Sequence, residues 1–358
     1  MKKTLVLEDL QQCIEQKIIQ PLNDLAINSH IQPSSIDIAL GSKAYLLPHR
    51  ALAPNISIEE LATQIALKEL DLTSKVLFLK GHTYLVETDI ELNLPQHISA
   101  KCSPKSSIGR IDVLVRAVCS TNGVYDIIPH NSRGKLFLEI TPQSFNIIVQ
   151  KGVPMSQIRL FEEKKQELSK EEYKQILKNS ITNYTTNPLF SFEEDMLFLS
   201  LEINSNHFGY VAKNTQIPID LTTTKFHDPE IFFEPLKAQR GINNQLYVLI
   251  EKDKFYIFHT KELISVPSTH SIEMLPYSYM IGDFRAHYAG FFDPGFGGKE
   301  GATGVLEVRS SEDIVIFDSQ PICSIIVYEN TQVPSTIYGE IGNNYQGQKG
   351  PKLSKFFK

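Results

Sequence analysis

His287-Tyr288-Ala289-Gly290-Phe291-Phe292-Asp293-Pro294-Gly295-Phe296-Gly297-Gly298, running on through Lys299 to Gly304 and into Val305-Leu306-Glu307-Val308, is the stretch on which the reading of this chain turns. It reads as strand, tight turn, glycine-rich loop, strand. Tyr288, Phe291 and Phe292 suit a pleated, partly buried surface. Asp293-Pro294-Gly295 supplies turn chemistry, proline fixing one dihedral and glycine accepting positive φ. Glu307 lies inside an apolar run. Its carboxylate either faces solvent, as lone charges in strands usually do, or occupies a site that tunes its pKa.

The chain around this stretch has 358 residues, enough for two domains that each bury a core. It is 42% hydrophobic and 21% charged, an average globular composition. Thirty-five basic against 41 acidic residues give a net charge of −6, which argues against a duplex nucleic-acid binder. Cys13, Cys102, Cys119 and Cys323 are scattered with no C-x-x-C pair, so neither a disulfide framework nor a zinc knuckle is expected. Glu8-Asp9 interrupts the opening apolar run too early for a signal peptide, and no segment approaches a membrane span. The expectation is a cytoplasmic protein with reduced thiols and no membrane partner.

Taken in order, Glu8 to Ile19 predicts a short amphipathic helix with Leu10, Ile14 and Ile18 on one face, closed by Pro21. Ile31 to Gly41 predicts a strand and Ile58 to Leu70 a second helix. Short strands at Lys75–Leu79, Thr83–Thr88, Ile90–Leu94 and Ile98–Lys101 follow, split by turns. Many short strands and few helices predict a mainly β fold of sandwich or barrel type. From Glu162 to Asn179 the composition becomes a charge-laced helix with little apolar face, a solvated connector.

Beyond the connector the β pattern repeats. Lys80 to Pro95 aligns with Lys252 to Pro267 without a gap, setting Tyr84, Thr88 and Pro95 on Tyr256, Thr260 and Pro267. Gly134 to Ile140 lies opposite Gly304 to Val308, and Val153 to Glu162 opposite Gln320 to Glu329. Three matched blocks in order indicate two fused copies of one β-domain: residues 1–165, a connector at 166–196, and residues 197–358.

The copies are unequal. Lys105-Ser106-Ser107-Ile108-Gly109-Arg110 gathers two hydroxyls and two cations in the first copy, a cradle for phosphate oxygens or a reacting water. The second copy lacks that cluster at Pro276 to Phe284 but keeps the Asp293 turn; the first has Asp126-Ile127-Ile128-Pro129-His130 there, without the glycines. Complementary losses predict one site where the two copies meet. The tail, Gly342 to Lys355, reads either as a disordered terminus or as a flap that closes over a polyphosphate.

Lys105 to Arg110, His287 to Gly297, the Val305-Leu306-Glu307 strand, Gln32-Pro33-Ser34-Ser35-Ile36-Asp37 and Tyr345-Gln346-Gly347-Gln348-Lys349-Gly350-Pro351 together resemble dCTP deaminase in its long, tandem-domain form, within the dUTP pyrophosphatase superfamily. The resemblance implies two dUTPase-like distorted β-barrels (jelly-roll-like) with a few short helices, assembling as a homo-oligomer. It implies hydrolysis of dCTP to dUTP and ammonia without zinc, in pyrimidine deoxynucleotide supply, with dTTP as a possible inhibitor. Independently, the chain has neither the H-x-E nor the P-C-x-x-C of zinc nucleobase deaminases.

By the same resemblance Glu307 is the catalytic proton shuttle, Ser106 and Arg110 hold the water, and Ala289 lies against the reacting base. Asp293 matches a residue near the sugar, and Tyr345, Gln348 and Lys349 match tail residues over the triphosphate. Lys105, Ser107, His287 and Phe296 complete the expected substrate contacts, although core packing is the default for Phe296, and His287 reads as a structural or sugar-packing residue rather than a proton carrier. Mg2+ is expected on the phosphates and not in the chemistry. Lys105 stands where single-domain relatives often have arginine, which keeps charge but loses the bidentate fork. Glu139 matches Glu307 by strand context but reads as a structural remnant, and His227-Asp228-Pro229-Glu230 as a solvated turn, so no metal ligand is assigned. The competing expectations are a dUTP pyrophosphatase, a bifunctional deaminase and pyrophosphatase, and a non-catalytic nucleotide-binding regulator.

Overall fold

The structure, a computed structural model, describes residues 2–21, 30–52, 56–120, 123–163, 170–182, 197–203, 207–275, 284–287, 290–340 and 344–358. Short antiparallel strands dominate, and the helices are few and brief. The expected first helix runs Leu7–Glu15. The second is shorter than its periodicity suggested, Ile58–Ile65, started by Ser57, whose side chain accepts the amide of Glu60. Residues 68–70, expected to be its last turn, instead belong to the strand Lys68–Asp71, which joins strand Ile36–Leu47 as an edge.

The repeat is visible as a repeated pairing scheme. In the first half Arg133–Pro142 lies between Thr83–Asn93 and Val113–Cys119. In the second, Ala302–Ser310 lies between Phe255–Ile264 and Phe284–His287. Pro154–Glu163 pairs with Ile98–Pro104, which pairs with Ile127–Ile128; Pro321–Glu329, His270–Leu275 and Phe291–Phe292 repeat that arrangement. The matched tyrosines do one job: Tyr84 and Tyr256 each accept, at 2.9 Å, the amide five residues earlier, of Leu79 and Glu251.

The copies diverge at their first strands. Ile36–Leu47 serves two layers, pairing with Pro154–Glu163 through its start and with Thr83–Asn93 through its end, after a register shift. In the second half two separate strands do this, Leu197–Ser200 on Pro321–Glu329 and Gly209–Ala212 on Phe255–Ile264.

Each half has its own core, but the halves also share one. The first-half core takes in Ile219, Phe232, Phe255, Ile257, Val305, Phe356 and Phe357 from the second. The helix Lys170–Ser180 lies within the expected connector and is mostly solvated, yet its Tyr173 is buried and accepts the amide of Val327 at 3.1 Å. Ile181–Thr182 then pairs with Phe255–Ile264, so these connector residues are fastened to the second half. All four cysteines are buried thiols outside any disulfide. Among the described residues no helix is long and apolar enough to cross a membrane.

Candidate active site

Strand Ala302–Ser310 explains why its glutamate does not meet water. Leu306 and Val308 point into the second-half core, and the alternate side chain Val305 packs into the core of the first. The sheet is covered on both faces, so Glu307, on the same side as Val305, is driven against the first half and is only 5% exposed. Opposite it stands the helical turn Ser106–Gly109, with Arg110 at its C-terminal cap. Gly109 makes the approach possible: a Cβ there would lie 3.2 Å from the carboxyl carbon of Glu307. Burial pushes the Glu307 carboxyl up to about 8; Asp112 adds to the rise and the Arg110 guanidinium opposes it. Arg110 thus favours the carboxylate, as expected from sequence, but desolvation outweighs it.

A cavity of about 210 Å³ opens at this junction, lined by Lys105, Ser106, Ser107, Arg110, Asp293, Phe296, Glu307, Tyr345 and Gln348 among others. Nine of the twelve sequence-predicted site residues therefore meet in one place, drawn from both halves of a single chain. His287 is described only in its backbone, which pairs in register with Glu307. Ala289 lies outside the described residues, but the next residue, Gly290, is close enough that a Cβ on it would be 3.5 Å from Ser106 Oγ. Lys349 is the exception. Its Nζ donates to the carbonyls of Gly301 at 3.0 Å and Glu300 at 3.4 Å, away from the cavity lining.

The tail 344–358 packs against the cavity, with Asn344, Tyr345, Gln348 and Lys355 on its lining. Tyr345 is buried, its ring 3.8 Å beneath the Arg110 guanidinium. Arg110 donates from Nη1 and Nη2 to Gln348 Oε1, both at 3.1 Å, and from Nη1 to the carbonyl of Lys352 at 2.8 Å. Gln348 in turn donates to the carbonyl of Thr303 at 2.7 Å, and Ser354 Oγ to that of Ser107 at 2.7 Å.

Asp293 is held from the other half: Ser34 Oγ donates to its Oδ1 at 2.6 Å and Arg159 Nη2 at 2.9 Å. Arg159 is fully buried, also donating to the carbonyl of Ile272 at 3.0 Å and lying 4.2 Å over Phe291. The loop after Asp293 folds tightly because Gly297 sits at φ 81°, where a Cβ would be 2.0 Å from the Ile264 carbonyl oxygen. Phe296 lines the cavity and also packs on Phe292 and Tyr338, so its two sequence readings coexist.

Sequence reasoning assigned no role to Asp37, Arg159 or Lys355. Asp37, within the quoted Gln32–Asp37 motif, is ion-paired with Lys105. Arg159 was legible by the signal that marked Glu307, a lone charge in an apolar strand run. Lys355 lines the cavity where Lys349 was expected; burial and nearby Lys105 lower its pKa, with Asp37 opposing. Glu139 is 2% exposed with both oxygens engaged, accepting Arg50 Nε and the Tyr125 hydroxyl at 2.7 Å each. Glu139 is therefore held by these two partners and does not line the cavity. Of the turn expected to be solvated, Asp228 and Glu230 are exposed but His227 is buried, its Nε2 accepting the amide of Asp220 at 2.8 Å.

The family model of the 2'-deoxycytidine 5'-triphosphate deaminase N-terminal domain matches residues 2–164, and that of the C-terminal domain matches residues 164–357. This chain belongs to the dCTP deaminase family. A crystal structure of 2'-deoxycytidine 5'-triphosphate deaminase from Agrobacterium tumefaciens is similar throughout: TM-score 0.84 and 28% identity, over 93% of this chain and 99% of that one. No curated protein matches the sequence. The tandem dCTP deaminase architecture inferred from the motifs is therefore the observed one, and the fold is that of a hydrolytic deaminase.

Proposed function

We propose that the cavity between the halves is where this dCTP deaminase acts, with Glu307 as the proton shuttle of a hydrolytic deamination. Water braced by Ser106 and Arg110 adds to C4 of cytosine, losing one proton to Glu307, which delivers it to N3. The tetrahedral adduct re-forms its carbonyl as the C4–N bond breaks. The second proton of the water passes through Glu307 to the leaving amine, so dUTP and ammonia are the products. The observation that carries the reading is a buried carboxyl whose first-half neighbour is a turn of hydroxyls and a guanidinium. Arg110 opposes ionisation loss at Glu307 and favours charge building on the attacking oxygen.

Magnesium enters as the counterion of the substrate triphosphate and not as a resident ion. Supporting this, the carboxylates Asp37 and Asp293 on the cavity wall are already paired with Lys105 and Arg159. Zinc has no part in the scheme, which rests on carboxylate chemistry. Lys355, and Lys105 once it exchanges its Asp37 partner, are the lining cations that meet the phosphates, a role in which Lys355 replaces the expected Lys349.

Glu307→Gln tests the assignment. Removing a positioned acid–base group costs about 10²- to 10⁴-fold; ammonia release from dCTP should fall by that much while dCTP binding, measured calorimetrically, persists. Turnover within about tenfold of wild type would overturn it. Product analysis in the same assay should find the triphosphate intact as dUTP.

A further inference from the structure

Two residues beyond Glu307 the same strand carries Arg309, and two residues beyond Arg110 the opposing turn carries Asp112. Residues two apart on a strand share a face, so Glu307 and Arg309 both look across the seam. Arg309 Nη2 bonds Asp112 Oδ2 there. Ser144 Oγ donates to the same Asp112 oxygen at 2.6 Å and lies 3.1 Å from Arg309 Nη2. Asp112 is 2% exposed and its φ is 55°, a left-handed conformation that side-chain-bearing residues rarely adopt. Its amide donates to the carbonyl of Gly109 at 2.8 Å, so it is tied directly to the turn of Ser106 and Arg110.

An ion pair with one buried and one partly buried partner, as here, is weak evidence for stability, since apolar replacements often serve as well. Here it is combined with an uncommon backbone conformation, and that combination needs a reason. The position of the pair supplies one, because it forms the rung next to Glu307 and Arg110. The fused repeat supplies a contrast, because Thr141 stands two residues after Glu139 where Arg309 stands after Glu307. The arginine is present on the strand whose glutamate lines the cavity.

We propose that Asp112 and Arg309 are positioning residues that fix the register of the Ser106–Arg110 turn against the Glu307 strand, and so set the turnover rate of the deaminase. The inference rests on Glu307 acting in the cavity as described above. Neither residue lines the cavity, so both act through the groups they align.

The test compares Asp112→Gly, Arg309→Gln, Arg309→Lys and the double variant Asp112→Gly/Arg309→Gln with wild type and Glu307→Gln. Glycine preserves the left-handed turn while removing the carboxylate, and the double variant leaves no unpaired buried charge. All are assayed well below the lowest unfolding midpoint in the set. Misplacement of this kind should lower kcat by roughly tenfold or more with KM for dCTP within about threefold. The double variant should be no worse than the worse single, and Arg309→Lys should recover part of the loss. A kcat within about twofold of wild type in both single variants, or a loss confined to KM, would overturn the proposal. If Glu307→Gln is inactive in that case, only the clamp is refuted. If Glu307→Gln itself turns over normally, the reading of the site fails and the clamp with it.

Discussion

In the proposed mechanism Glu307 concentrates the chemistry in one ionisable group. Desolvation outweighs the adjacent arginine, and its pKa rises to about 8. The groups bearing on it are Arg110, Asp112 and, from the tail, Tyr345. Only the carboxylate can take a proton from water. Below its pKa the active fraction therefore falls tenfold per pH unit, and kcat/KM, which reports the free enzyme, should fall with it. The expected profile rises with unit slope from about pH 6, bends near pH 8 and levels above about pH 9. A profile already flat at pH 6.5 would mean that nucleotide-free Glu307 is far more acidic than its surroundings dictate. The charge inside Val305-Leu306-Glu307-Val308 was visible in the sequence. Its burial was not, because one strand's pattern does not reveal that a second domain covers its outer face.

Between elements, the turns decide whether the two halves of the site can approach. Gly297 and Gly81 both have positive φ, near 81° and 79°, but their surroundings differ. A Cβ at Gly297 would strike the Ile264 carbonyl, whereas nothing lies within 4 Å of one at Gly81. Gly81→Ala should thus cost only the left-handed penalty of about 1 kcal/mol, and Gly297→Ala at least twice that, read from urea unfolding midpoints. Equal costs at the two positions would show that the loop after Asp293 relaxes freely. Here the sequence was informative, since Asp293-Pro294-Gly295 announced a turn and the glycines a close approach. The second helix was less legible. Its apolar spacing continued to Leu70, but Lys68–Asp71 found a strand edge to pair with, and hydrogen bonds supplied by the sheet outweighed local propensity.

For the whole molecule, the halves are covalently tandem and physically interleaved. Phe356, near the end of the chain and 2% exposed, belongs to the core of the first half. Phe356→Ala should cost about 3–5 kcal/mol, as for other buried phenylalanines. Because the two cores meet across shared strands, the loss should lower a single thermal transition. A separate early transition of the first half alone would show that the halves unfold independently. The repeat was legible because paired strands preserve their tyrosine, threonine and proline positions. The partnership of Arg159 with Asp293, and of Arg309 with Asp112, was not, since each joins residues more than a hundred positions apart.

By itself the sequence determined the mainly β class, the duplication, the family and the cast of polar groups, since strand periodicity, turn chemistry and motif spacing are local properties. The tertiary structure alone decided which groups share a cavity, that Lys355 and not Lys349 lines it, and that Glu307 is desolvated. Those outcomes depend on how two folded surfaces meet, and a pKa is set by everything that surrounds the group once they have met.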